Sequence, residues 1–364
     1  MPVKFKKSII SGERYESAGI FDVNGNGVLD IVSGAYWYEG PDFRKRHPVG
    51  TIMAEGEYFD DFSTLPMDIT GNGLLDFVTG GWWGNTVRWR ENPGDPDAEW
   101  PEHVIAECGN VETTRAWDVD GDGQLEIVPN TPPTPLVVYK LITDAQGKGT
   151  GEFAAHTIYD QSQGHGLGFG DVTGNGRGDF ILAKGWLEAP EDTYGGEWVF
   201  HADFDLGSAS IPVLVVDVNG NRLNDLIVGQ SHAYGLDWWE QRIEGGERNW
   251  IKHPIDPFHS QYHDLQWVDI DGDGECELVT GKRYRAHNGN DPGAWDDLGL
   301  YYFKWNGESF SKQVIDYGTP GIASGCGILF AIADLNGNGR LDIVAPGKDG
   351  LHLFENMGTD WTLR

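Results

Sequence analysis

Asp118-Val119-Asp120-Gly121-Asp122-Gly123-Gln124-Leu125-Glu126 is the phrase on which the fold of this chain turns. Versions of it occur seven times, with first residues Asp22, Asp68, Asp118, Asp171, Asp217, Asp269 and Asp334. The last residues are Asp30, Asp76, Glu126, Asp179, Asp225, Glu277 and Asp342. Side-chain oxygens recur at positions 1, 3, 5 and 9, with Gly at 4 and usually at 6. A hard cation such as calcium wants roughly six to eight oxygens, and glycine lets the backbone wrap around it. The phrase therefore reads as the front half of a calcium loop. The fullest ligand sets are Asp22, Asn24, Asn26 and Asp30; Asp118, Asp120, Asp122 and Glu126; Asp269, Asp271, Asp273 and Glu277; and Asp334, Asn336, Asn338 and Asp342. Thr70, Thr173 and Arg222 interrupt three other copies and weaken them as ion sites. Structural calcium, several ions per chain, is the expected cofactor of these loops, which serve stability rather than catalysis.

Seven copies spaced by 46 to 65 residues imply a repeat architecture. Each repeat begins with a short apolar strand into the loop, as in Leu214-Val215-Val216, and a second strand out of it, as in Asp30-Ile31-Val32. A third strand is aromatic and often ends in Glu, as in Trp238-Trp239-Glu240. A fourth carries His or Lys before an apolar stretch, as in Glu102-His103-Val104-Ile105. Four such strands make one propeller blade. The expected fold is an all-β, seven-bladed β-propeller forming a single domain over 1–364. The last repeat lacks a fourth strand, and Phe5-Lys6-Lys7-Ser8-Ile9-Ile10 matches it, so the N-terminal strand should close the ring.

The formal net charge of −31 argues against nucleic acid as a partner. Cys108, Cys276 and Cys326 form no disulfide framework, and Cys276, at loop position 8, reads as a small buried residue. No window approaches a membrane span, and Met1-Pro2-Val3-Lys4-Phe5-Lys6-Lys7 has no signal-like apolar run. The expected location is cytoplasmic, with no membrane partner; a homo-oligomer is left open.

The repeat register sorts the eleven histidines. His47, His103, His156, His201 and His253 recur at the fourth strand and read as structural. His165 and His263 instead lie six residues before their loop Asp, where other blades carry Glu16, Phe62, Glu112, Ile211 and Ile328. That is the start of the innermost strand, at the channel mouth opposite the loops. The connection between second and third strands opens on the same face and carries Trp82-Trp83, Lys184-Gly185-Trp186, His232-Ala233-Tyr234 and Lys282-Arg283-Tyr284-Arg285-Ala286-His287. Asp60 and Asp61 are expected to add carboxylates there. Imidazoles from different blades can bind a transition metal, and His and Tyr can move protons.

The loops resemble the FG-GAP/VCBS repeat propellers. Longer phrases are similar to the propeller domain of aldos-2-ulose dehydratase, notably residues 185–190, 229–241, 280–288 and 343–348. The resemblance is densest from about Gly164 to Gly350. The cupin domains of that dehydratase have no counterpart in this sequence. The resemblance implies a carbohydrate lyase or dehydratase that eliminates next to a carbonyl of a keto-sugar or uronide. On that reading His165, His232 and His263 hold a catalytic divalent metal (zinc, manganese or magnesium). His165, His263, His232, Tyr284, His287 and Tyr234 are the catalytic candidates. Lys282, Arg285, Trp82, Trp186, Glu112 and Lys184 are the substrate-binding candidates. Two alternatives stand beside it: a glycoside hydrolase using Glu112 with Glu16 or Asp61, and a non-catalytic calcium-stabilised propeller that binds glycan or protein.

Overall fold

The computed structural model describes residues 2–359, and residues 1 and 360–364 of the expected domain lie outside it. Seven four-stranded antiparallel sheets succeed one another along the chain. Blade three shows the pattern: Thr113–Trp117, Glu126–Asn130, Leu136–Thr143 and Gly149–Tyr159 pair in sequence order. The inner strand of each blade enters its loop, and the second strand begins on the acid at position 9. Blade seven is completed by Phe5–Ser11, which pairs with Leu351–Asn356 so that Phe5 faces Asn356 and Lys7 faces Phe354. The ring is therefore closed by the first strand, which covers the outer edge of the last sheet with a partner. Among the described residues no helix is long and apolar enough to cross a membrane.

The core is a set of seams rather than one centre. Alternation along each strand gives both faces of every blade an apolar partner across the seam. Ile31 and Tyr38 of blade one pack with Val344 and Leu353 of blade seven. Phe21, Val32 and Trp37 on the other face meet Phe77 and Trp100 of blade two.

The acid at loop position 9 has a structural job. Asp30 accepts the Val23 N–H at 2.9 Å and the Gly40 N–H at 2.8 Å. Asp179 likewise accepts from Val172 and Ala189, both at 2.9 Å. The carboxylate thus ties its own loop to the end of the third strand. Arg222, where other copies have Gly, adopts φ +69° and keeps the loop's left-handed turn despite its side chain.

The repeating histidines also have structural partners. His47, His103, His201 and His253 bond Glu39, Glu91, Glu188 and Glu240 at 2.7 to 3.1 Å. Each stacks on a Trp of its own blade: Trp37, Trp89, Trp186 or Trp238. Trp186 is therefore no substrate-facing residue: it is fully buried, with its indole N–H on Asp203 at 2.8 Å. Cys276 is exposed rather than buried, as is Leu125 at the same position of blade three. Asp60 and Asp61 are buried below the surface, where Asp60 pairs with Arg88 at 3.1 Å and Asp61 accepts from Thr79 at 2.7 Å.

Two segments stand outside the repeat. A hairpin of Ala54–Glu55 and Tyr58–Phe59 is inserted between blades one and two. A 3-10 turn, Ala286–Gly289, follows the second strand of blade six. Tyr58 Oη donates to the Arg285 carbonyl at 2.9 Å and accepts the Asn288 N–H at 2.5 Å, which joins the two insertions across one mouth of the channel.

Candidate active site at the channel mouth

The register of the inner strands brings Glu16, Phe62, Glu112, His165 and His263 towards the axis. Beneath them Arg115 of blade three reaches across to Asp264 of blade six, at 2.9 Å, and closes the channel floor. Above that plug two linked clusters form.

The first is His165, His232 and Glu112. His165 Nδ1 donates to the Ala209 carbonyl at 3.0 Å. His232 Nδ1 donates to Asp291 Oδ2 at 2.8 Å. Both acceptors are oxygen atoms without a proton, so each Nδ1 carries a hydrogen and both Nε2 atoms point inward. Those two Nε2 atoms are 2.9 Å apart. Glu112 Oε1 lies 3.2 Å from the one and 3.8 Å from the other. Two imidazole lone pairs and a carboxylate at such distances repel unless a cation, proton or metal, sits among them. Two His nitrogens with one carboxylate is a common donor set for zinc and other first-row metals. The carboxylate behind His232 is the kind of partner that fixes a ligand's tautomer. The residues present therefore fit a divalent metal.

The second cluster is Glu16, Arg283 and Lys348. Arg283 forks onto both Glu16 oxygens, at 2.9 and 3.2 Å, and Lys348 reaches Glu16 Oε1 at 2.8 Å. Burial pushes Glu16 upward, but Arg283 and Lys348 outweigh it and hold the carboxyl at about 2. Burial likewise pushes Glu112 upward, and His165, Arg283 and His232 hold it at about 2. Burial lowers Lys348 to about 8, although Glu16 opposes the shift. Burial, with His165 beside it, lowers His232 to about 4, which keeps it neutral at physiological pH.

His263 is placed between the clusters but is spent. Its Nδ1 donates to the Gln261 carbonyl at 3.3 Å, and its Nε2 accepts from Arg283 at 3.1 Å. A nitrogen already bonded to a guanidinium cannot bind a metal, so the donor group that converges is Glu112, His165 and His232 and leaves His263 out. Burial and the Arg283 charge drive His263 well below the ordinary imidazole range.

The rim is formed by the inserted segments. His287 stacks on His232, with ring centres 4.0 Å apart, and its Nδ1 bonds Asp291 Oδ1 at 3.0 Å. It is well exposed, and its Nε2 has no hydrogen bond to any described residue. With Tyr58, Trp82, Trp83 and Glu112 it lines a cavity of about 250 Å³. A second cavity of about 880 Å³ adjoins His165 and is bordered by Lys184 and Phe200. Lys184 is exposed and only loosely paired, 3.8 Å from Asp205.

Other expected residues are placed differently. Lys282 is buried, with its ammonium on Ser260 Oγ at 3.0 Å and on the Gly293 carbonyl, so it braces a loop and meets no substrate. Arg285 is paired with Glu57 at 2.5 Å and lies against the rings of Tyr284 and Trp295. Tyr284 offers its carbonyl to Lys348 at 3.2 Å. Tyr234 is on the outer rim, its hydroxyl donating to Asp296 at 2.6 Å. Tyr58, Asp291 and Lys348 line the mouth although none was expected there, and Arg283, expected only as part of the mouth loop, is paired with Glu16.

No family model matches the chain, and no curated protein matches it. Solved structures do. The exo-type rhamnogalacturonan lyase YesX superimposes with a TM-score of 0.52 at 12% identity, over 98% of this chain and 73% of that one. BBS1N in complex with ARL6DN superimposes with a TM-score of 0.55 at 11% identity, over 99% and 97%. At such identities the likeness is one of fold. The chain is a seven-bladed β-propeller, and its structural neighbours include a rhamnogalacturonan lyase as well as BBS1N crystallised in complex with ARL6DN.

Proposed function

We propose that the channel mouth is the catalytic site of a carbohydrate lyase, which eliminates a hydroxyl or glycosidic oxygen β to a carbonyl or carboxylate of a sugar. The observation that carries this reading is the convergence of His165 Nε2, His232 Nε2 and Glu112 on one point at the axis. In this reading those three residues hold a divalent metal. When bound, it supplies Lewis-acid stabilisation to the charge that builds up on the carbonyl side of the sugar. The remaining work falls to the chain. His287, oriented by Asp291 and with Nε2 unengaged, is the base best placed to take the proton α to that carbonyl. Glu16 keeps Arg283 and Lys348 charged partners in place, and Tyr58 with Trp82 shapes the entrance. The rhamnogalacturonan lyase among the fold neighbours supports elimination as the reaction class.

The hydrolase alternative has less support. It needs one protonated carboxyl as acid. Glu112 and Glu16 are both held at about 2. Burial raises Asp61, but that carboxyl lies under the surface, bonded to Thr79 at 2.7 Å and away from the mouth cavity. Purified protein is tested on keto-sugars and uronide oligosaccharides, with ultraviolet absorbance followed. An absorbing unsaturated product supports the reading. New reducing ends without absorbance would mean hydrolysis, and no turnover with retained glycan binding would mean a binding propeller.

A further inference from the structure

The seven loops fall into two electrostatic kinds. Five end in Asp, and two end in Glu, at Glu126 and Glu277. The residue after loop position 9 pairs with a third-strand residue: Tyr38, Arg90, Leu187, Trp239 and Phe354 in the five blades, Tyr139 and Phe303 in the two. The residue that follows that partner is Glu in all five Asp-ending blades and Lys in both Glu-ending blades, Lys140 and Lys304. The five glutamates bond outer-strand cations, four a fourth-strand His and Glu355 Lys6 at 2.5 Å, and among the described residues only Glu240 also reaches its loop, accepting from Asn219 at 3.3 Å. The two lysines turn into the loop. Lys140 Nζ lies 2.5, 2.7 and 3.1 Å from Asp120, Asp122 and Glu126. Lys304 Nζ lies 2.6, 2.5 and 3.0 Å from Asp271, Asp273 and Glu277.

The longer acid explains the pairing. In an Asp-ending loop both carboxylate oxygens are used by backbone N–H groups, one in the loop and one at the third strand. Glu126 and Glu277 keep only the first bond, from Val119 at 2.7 Å and Ile270 at 3.1 Å. The extra methylene carries the other oxygen to the ammonium instead. Position 9 and the third strand have thus changed together, twice, in one chain.

We propose that the loops at residues 118–126 and 269–277 carry their own cation, with the ammonium groups of Lys140 and Lys304 standing in for a metal ion. A divalent ion would have to expel a lysine held by three carboxylates. The clearest calcium phrase in the sequence is on this reading the one that needs no calcium. Asp118 Oδ1, Glu126 Oε1 and Asp271 Oδ1 have no hydrogen-bond partner among the described residues, Glu126 Oε1 meeting Lys140 as an ion pair only, so each cage keeps a lone pair that a metal could use once the lysine is gone.

The inference is independent of the lyase reading. Equilibrium dialysis with calcium compares the full-length protein with its Lys140→Met/Lys304→Met variant, in which the methionines retain much of the apolar stem. About two more ions per chain in the variant are expected. Equal counts in the two proteins, zero included, overturn the proposal. A second measurement needs no variant: hydrogen exchange of the wild-type chain with and without chelator. Exchange in residues 118–126 and 269–277 should not change on chelation, and faster exchange there overturns the proposal even if the variant does not fold.

Discussion

Replacing Glu16 by Gln removes the one acid that Arg283 and Lys348 share while keeping its shape. The drop of the Glu16 carboxyl from 4.5 to about 2 is equivalent to about 3 kcal/mol of differential interaction. The group is buried, so no solvent screening reduces that figure. It agrees with the roughly 3–5 kcal/mol lost when one partner of a buried ion pair is removed. A carboxyl whose folded pKa is depressed stabilises above its unfolded value and loses that contribution as pH falls through the folded value. The Glu16→Gln penalty should therefore be full at pH 7, shrink from about pH 4.5 downward and be nearly gone at pH 2. Urea denaturation of wild type and variant across that range measures it. Adding Lys348→Met to Glu16→Gln should recover part of the loss, because one stranded cation is removed with it. A penalty below about 1 kcal/mol at pH 7, or one unchanged between pH 4.5 and pH 2, would refute the account of this cluster.

Other perturbations separate the roles assigned above. Asp291→Asn should lower turnover by roughly 10- to 100-fold through loss of the partner that orients His232 and His287, with little change in stability; steady-state rates beside a melting curve check both. Trp186→Ala should destabilise by about 3–5 kcal/mol and leave KM unaltered, since the ring packs in a seam against His201; an altered KM would return it to the substrate face. The Asp349 carboxylate is buried, with the His352 ring 3.7 Å away as its ionic neighbour, and burial raises it from 3.8 to about 6. Its charge therefore costs stability as pH rises from about 4 to 6, up to about 3 kcal/mol. Asp349→Asn should stabilise the protein at pH 8 and change little at pH 3.5, as read from denaturation midpoints.

The fold was legible because one phrase repeats and marks the same corner of every blade. The closing strand was legible because the last repeat lacks what the first residues supply. The inner-strand register also located part of the site, since Glu112, His165 and His263 do converge at one mouth. Arg283 and Lys348 could have been found the same way: each lies 14 residues after the first Asp of its loop. Tyr58 and Asp291 could not, because they stand in or beside insertions that the repeat does not index. Trp186 was misplaced because its neighbours Lys184 and Gly185 resemble a rim loop, whereas the recurring Trp and His pair of the outer strands marks it as packing. Which imidazole is free to bind a metal depends on the hydrogen bond made by its other nitrogen, and that is a property of the folded mouth alone.

The most direct test of the central claim is elimination by the purified protein and its His165→Ala variant, with metal content measured on the same samples. The account predicts an unsaturated sugar product from the wild type, about one zinc, manganese or similar ion bound at the mouth, and loss of both that ion and at least 100-fold of the turnover in the variant. A variant that keeps within tenfold of wild-type turnover would contradict the assignment of the mouth as the catalytic site.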